Sequence, residues 1–430
     1  MKVGAANAEI TPELGLTLEG YDVRKEGATG THDPLMVRVL VADGAEATVA
    51  LIVADLIQVD PPLQDVVAAE VLRRTGIPRE RIQLVGTHTH SGPMLREPSP
   101  VVDRIGETIA STVEKAWQGR REAHAAIGIG TVTGIGANRR PNGGPVDDRV
   151  TVTRYDGVDG SPIATLVNYG CHPTTLGPNN TLYSADYPGV ACRAIEAAVG
   201  GVAIFTTGPQ GDVNPGGYSP EGSMVGVVVP WRTFESAERY GSIVAASAID
   251  TWERLRPAPS ARVWGDSRVI GLERKDLPEA GAARAAATTS ARAEAEIRAA
   301  GFSEDTIYHA AVAAAYADVL AIQAEDPGRP GPVPVRISAL ALGPMVHAGV
   351  SGELFVALGQ SIRSRLGDDT TTIAALSDGT IGYICTADAY EVGGYEPNAS
   401  VLRAGEGERL ADAIVELATP ALDSHSEAHR

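Results

Sequence analysis

Residues 47–60 read ATVALIVADLIQVD, residues 61–77 PPLQDVVAAEVLRRTGI and residues 81–92 RIQLVGTHTHSG. The first stretch is dense in Val, Ile and Leu and ends in polar residues, as a strand does. The second has apolar residues at helical spacing, proline near its start and glycine after its end. The third is again apolar and stops in Thr-His-Thr-His. Strand, helix, strand is a βαβ unit with a right-handed crossover. The fold class that follows is α/β, a mixed sheet core flanked by helices. Ligand sites in such sheets collect at the carboxyl ends of strands, and His88 and His90 lie there.

Working outward, MVRVLVADG (36–44) is a neighbouring strand and VVDRIGETIASTVEKAWQGR (101–120) a second amphipathic helix. Residues 122–144 read as a strand running into a Gly-rich loop. Residues 149–175 read as a hairpin turning at Asp159-Gly160 and ending at His172. A helix at 187–201 and a strand entering the Gly/Pro loop GPQGDVNP follow. Residues 275–326 differ: they are Ala-rich, with high helical propensity, and predict an inserted helical hairpin. That insert is assigned to scaffold or oligomerisation rather than to a substrate lid. Strand, loop and helix return over 332–366, and a helix at 407–422 closes the chain. With no clear linker or repeat, a single α/β body with inserts fits as well as two domains.

The 430 residues carry a formal net charge of -18. Such a field repels phosphate backbones and anionic membrane surfaces, so neither nucleic acid nor stable membrane association is expected. Three cysteines, Cys171, Cys192 and Cys385, match no disulfide or zinc-finger spacing and read as reduced, buried thiols. The opening MKVGAANAEITPE lacks a signal-type apolar core, and no run of 18 apolar residues occurs, so the expected compartment is the cytoplasm.

Alternate residues of a strand share one face, which would aim His88 and His90 the same way. Both could bind one metal, or one could bind it while the other accepts a proton. His172, in NYGCHPTT, stands at another strand end before a proline. Glu353, in GVSGELF, sits where a helix begins and is either a cap or a third ligand. Two histidines, a carboxylate and an open position form the usual catalytic zinc arrangement. His347 is a lesser candidate near the same loop. His32, His124, His309, His425 and His429 sit in turn, polar or helical contexts.

Taken in order, AEITP…GY, HDPL, GTHTHSGP, GANRRP, NYGCHPTTLGPNNTLYSADYPGVA, GPQGDVNP, SGELF and GYICTADAYEVGGYE resemble the neutral (non-lysosomal) ceramidases and their bacterial relatives over nearly the whole chain. The resemblance implies a zinc ion held by His88, His172, Glu353 and Tyr383. It places His90 beside the scissile bond and brings Arg139 and Tyr395 to the site. It further implies one ceramidase-like zinc hydrolase domain over 1–430, with the insert at about 275–326 and without the C-terminal β-sandwich of full ceramidases.

One position departs from the family pattern. Where the family has a serine in GDVSP, this chain has Asn214. An amide side chain is no nucleophile, so the expected route is attack by zinc-bound water on an N-acyl amide bond. His90 would move the proton. Tyr395 and Arg139 would stabilise the oxyanion or hold an anionic part of the substrate, and Asn214 would donate a hydrogen bond there. Asp186 and Asp212 are read either as carboxylates that orient ligand histidines or as turn caps, and Asp55 as a weaker candidate of the same kind. The expected partner is a small, soluble acyl substrate other than ceramide, with homo-oligomerisation open. The alternatives are an ester or lactone hydrolase with the same zinc site, and a non-catalytic acyl-binding relative.

Overall fold

The computed structural model describes residues 1–260, 262–326, 328 and 331–422. Twelve main strands are β1 (Lys2–Glu9), β2 (Met36–Asp43), β3 (Thr48–Ala54), β4 (Ile82–Gly86), β5 (Arg121–Thr131), β6 (Arg149–Gly157), β7 (Pro162–Tyr169), β8 (Val202–Thr207), β9 (Val263–Leu272), β10 (Val333–Leu342), β11 (Met345–Val350) and β12 (Thr371–Ala374). The helices are α1 (Pro61–Thr75), α2 (Pro100–Gln118), α3 (Asp186–Val199), α4 (Pro220–Met224), α5 (Phe234–Arg254), α6 (Ala280–Ala299), α7 (Glu304–Glu325), α8 (Val356–Leu366), α9 (Ala387–Val392), α10 (Tyr395–Ala399) and α11 (Glu406–Ala418).

The larger sheet has the order β8-β7-β6-β5-β1-β2-β3-β4, with the two-residue strand Ala258–Pro259 pairing off β5. Its two edge pairs, β3 with β4 and β7 with β8, are parallel, and the pairs between them are antiparallel. Each parallel pair needs a helical crossover. The expected βαβ unit over 47–92 is β3-α1-β4, and a second, β7-α3-β8, mirrors it at the far edge. The sheet curls until those edges meet: Thr207 Oγ1, at the end of β8, donates to the carbonyl of Thr87 just beyond β4 at 2.6 Å. Two strand ends far apart in sheet order thus share one place: β4 runs into His88 and His90, and β8 into the loop that carries Asn214.

A smaller sheet, β9-β10-β11-β12, covers the inner face of the first. Period-two alternation sorts the side chains. In β3, Ala50 and Ile52 pack toward α1 and α2, while Val49, Leu51 and Val53 face inward. Those inward residues meet Leu340, Leu342 and Met345 of the smaller sheet. α3 and α5 cover the other half of the outer face through Ile195, Tyr240 and Val244. α8 and α11 cover the smaller sheet through Leu358, Ile362, Leu410 and Ile414. With both faces covered, the strands read as near-continuous apolar runs. The three cysteines are free and buried.

The Ala-rich hairpin forms as expected, α6 against α7. Its shared core is thin: among the described residues Ala283, Ala287 and Ala321 are buried, with half-buried Ala317 and Ala324 packed against them. Arg284 stitches the two helices by ion pairs to Asp318 and Glu325, both 2.6 Å. α7 contains no run of 18 apolar residues, yet by length and mean composition alone it is apolar enough to cross a membrane. Its apolarity comes largely from alanine.

Candidate metal centre

β4 ends at Gly86, so the strand-face argument for His88 and His90 fails. Their imidazoles converge by another route. His88 adopts a left-handed backbone, φ 70°, sparsely populated by residues other than glycine. Its N–H is held by Leu56 O at 2.9 Å. The turn brings His90 Nε2 to 3.4 Å from His88 Nε2. Gly20, at φ 113°, presses on the far side of His90; a Cβ there would lie 2.5 Å from His90 Nδ1.

His172 reaches the same place from the end of β7. One ligand nitrogen from each of His88, His90 and His172 lies within 4.8 Å of the others. Glu353 arrives from a two-residue strand, Glu353–Leu354, paired in parallel with Tyr383–Ile384. Its Oε2 stands 2.9 Å from His172 Nε2 and 3.5 Å from His88 Nε2.

The proton positions follow from the outer partners. His88 Nδ1 faces Ile57 O at 3.0 Å and His172 Nδ1 faces Val213 O at 2.9 Å. A carbonyl only accepts, so each Nδ1 carries a proton and each Nε2 is the ring nitrogen turned to the centre. Burial, reinforced by the Arg139 charge, pulls the His172 pKa down to about 4. Burial and the neighbouring His88 and His172 hold His90 well below its ordinary value. Burial alone would raise the Glu353 carboxyl, but the two histidines beside it hold it well below the usual range. Two imidazole nitrogens and a carboxylate oxygen therefore converge on one place. A bound cation satisfies all three; the donor set fits a divalent metal.

The remaining sequence candidates are placed as follows. Tyr383 stands next to Glu353 in strand register, and its hydroxyl accepts from Arg139 Nη2 at 3.2 Å. Arg139 also donates through Nε to Glu396 Oε1 at 2.7 Å and through Nη2 to Gly211 O at 3.0 Å. Its fork is thus engaged by the protein, and its contact is with Tyr383. The Tyr395 ring lies 5.4 Å from that of Tyr383, and burial raises its hydroxyl pKa so that it stays a donor. Asn214 donates from Nδ2 to Tyr218 O at 2.8 Å, while its buried Oδ1 has no partner among the described residues. One of its two N–H groups is therefore spent inside the protein.

The three carboxylates do not orient the histidines; main-chain carbonyls do. Asp212 accepts from Val356 N at the start of α8 and from Asn138, at 3.0 and 2.8 Å. Asp186 gathers Thr175 N and Tyr187 N, tying the loop after His172 to α3. Asp55 pairs with buried Arg38 at 2.9 Å. His347 lies buried in β11, its Nδ1 against Thr372 Oγ1. His425 and His429 lie outside the described residues.

The sequence reading missed Glu396, whose only signal was its place after Tyr395. It also missed the contacts of the hairpin. Tyr316 of α7 donates to Glu221 of α4 at 2.7 Å, and Gln323 donates to Ala399 O of α10 at 2.9 Å. α4 follows the loop of Asn214, and α10 begins at Tyr395, so the insert braces two site segments.

Fold and site together define an α/β protein with a buried histidine–carboxylate centre of metal-ligating chemistry. The chain belongs to the neutral/alkaline non-lysosomal ceramidase family: the family's N-terminal model matches residues 1–224. It is 25% identical over 264 residues to neutral ceramidase A and 26% over 263 residues to neutral ceramidase B, both of Dictyostelium discoideum. Each match takes in 51% of this chain but only 36% of the relative. The crystal structure of neutral ceramidase from Pseudomonas aeruginosa superposes with a TM-score of 0.75 at 18% identity, covering 98% of this chain and 74% of that one.

Proposed function

We propose that this chain is a metal-dependent hydrolase of amide (N-acyl) bonds, with zinc at His88, His172, Glu353 and Tyr383 and a substrate other than ceramide. One observation carries the reading: Nε2 of His88 and of His172 meet the Glu353 carboxylate at 3.5 and 2.9 Å, each ring held from behind by a main-chain carbonyl. The family membership supports the amide bond as target. The charge of -18, which an anionic lipid surface repels, supports a small acyl substrate.

A cation held there would polarise the scissile carbonyl and acidify a water. The chain's own groups do the rest. His90 is neutral and beside the centre, and it accepts the proton released in the attack. From the same centre-facing Nε2 it returns that proton to the leaving amine. Tyr395 keeps its hydroxyl proton and donates to the developing oxyanion. Arg139, anchored by Glu396, fixes the Tyr383 hydroxyl. Asn214, with an amide where the family has a serine, forms no acyl intermediate and presents its unpartnered Oδ1 as an acceptor.

The test is turnover of N-acyl amides of graded chain length, with matched esters and lactones, before and after chelation. Amide hydrolysis lost on chelation and restored by zinc is the expected result. Turnover that survives complete metal removal would refute the reading.

A further inference from the structure

Beside the three imidazoles lie two buried arginines that the mechanism does not use. Arg24 is 4% exposed and Arg232 is 5% exposed. Neither pairs with a carboxylate among the described residues. Arg24 donates to the carbonyls of Asn180, Glu19 and His90, at 3.2, 2.6 and 2.7 Å, and its buried Nε–H has no partner. Arg232 donates to Thr174 O at 2.9 Å, Leu176 O at 3.0 Å, Ser223 Oγ at 3.2 Å and the Tyr21 hydroxyl. Both guanidinium carbons lie close to the Tyr21 ring, 5.3 and 5.0 Å from its centroid, and Arg232 also stacks on Tyr218 at 4.2 Å.

Their positions tie them to the centre. Arg24 holds the main chain of His90 itself. Arg232 holds Thr174, two residues beyond His172, and reaches Asn214 through Tyr218. The Tyr21 ring lies 4.9 Å from the His90 ring. A cleft of about 440 Å³ opens alongside, lined by Arg232, Leu176 and Asn180, the last being a partner of Arg24. The acid on its lining, Glu235, is exposed.

Burying a charge without an opposite charge costs several kcal/mol. Burial pulls Arg24 to about 10 and Arg232 to about 9, and both stay charged at neutral pH. Two such cations persist inside a protein of net charge -18, at the edge of its reactive centre.

We propose that Arg24 and Arg232 form an anion subsite, so that the amide substrate carries an oxyanion, a carboxylate or a phosphate-type group, seated in the cleft that Arg232 lines. The proposal rests on the reading of the centre as an amidase. It extends that reading by naming the substrate class: anionic N-acyl compounds rather than neutral ones.

The test is calorimetric binding of a non-cleavable ketomethylene analogue of N-octanoylglycine, of its uncharged primary amide and of its phosphonate counterpart to the metal-loaded chain. The wild type is expected to bind the carboxylate or the phosphonate at least about tenfold tighter than the amide, in line with charge-assisted hydrogen bonds. Whichever anion binds tighter assigns the group. Arg24→Gln and Arg232→Gln should each remove most of that preference while changing affinity for the uncharged amide less than about threefold. Arg232→Lys should keep part of it. Equal wild-type binding of charged and uncharged analogues, or binding of neither, overturns the subsite. So does an equal loss for both in the variants. Preference for the anion without turnover of any amide would keep the subsite and sink only the amidase reading.

Discussion

His88 holds a φ of 70° in a region that costs a residue with a Cβ on the order of 1–3 kcal/mol. The strain is sustained by the backbone bonds from Thr87 N to Ala54 O and from His88 N to Leu56 O. It aims the Nε2 of a residue beyond the strand end at Glu353. At this scale the roles of the histidines separate. His88→Ala and His172→Ala should lose both metal and activity. His90→Ala should lower kcat about 10²–10⁴-fold while metal content, measured by mass spectrometry, stays near that of the wild type. An empty site in His90→Ala would make it a ligand instead. A second prediction concerns pH. His347 is buried away from the centre, and burial lowers its pKa from 6.5 to about 3. The unfolded chain therefore binds the proton first as pH falls. Stability from this group is complete above 6.5 and is lost as pH drops toward 3. Thermal melts of the metal-free chain should show a loss of about 2 kcal/mol from this group between pH 6.5 and 5. His347→Gln should flatten that slope, and an unchanged slope would contradict the account.

Among the elements, the hairpin α6–α7 was legible in sequence because alanine favours helix whatever surrounds it. Its docking was not, since Tyr316 and Glu221 are 95 residues apart and neither looks unusual locally. The same holds for Arg139 and Glu396, 257 residues apart, whose pairing redirects a candidate substrate contact to Tyr383. The roles of Asp186 and Asp212 were open for a similar reason: a carboxylate before a helix and one beside a histidine look alike until the fold is known. The hairpin's alanine seam gives a third prediction. Ala321→Leu overpacks it, at about 1–3 kcal/mol. Hydrogen exchange should quicken over 280–325 while metal content holds, and KM should rise severalfold as α4 and α10 lose their brace. Unaltered exchange over those residues would remove the seam's importance.

For the whole molecule, the α/β class and the first βαβ unit could be read from apolar runs and their punctuation. The curl of the larger sheet could not, because closure depends on twist summed over many strands rather than on any local pattern. That curl joins the ends of β4 and β8 and so assembles the centre from both edges. The two sheets share one core, in which Leu340 of β10 meets Leu51 and Val53 of β3. Leu340→Ala should cost about 2–5 kcal/mol. Far-UV and near-UV signals should still melt in a single coincident transition; separate transitions would mean that the sheets fold independently.

The central claim is that distant segments of the chain hold one divalent cation, and metal stoichiometry tests it most directly. Purified full chain, dialysed and analysed by inductively coupled plasma mass spectrometry, should carry about one equivalent of zinc, and Glu353→Ala and His172→Ala essentially none. Wild-type protein that stays metal-free after zinc reconstitution, or variants that retain the full equivalent, would contradict it.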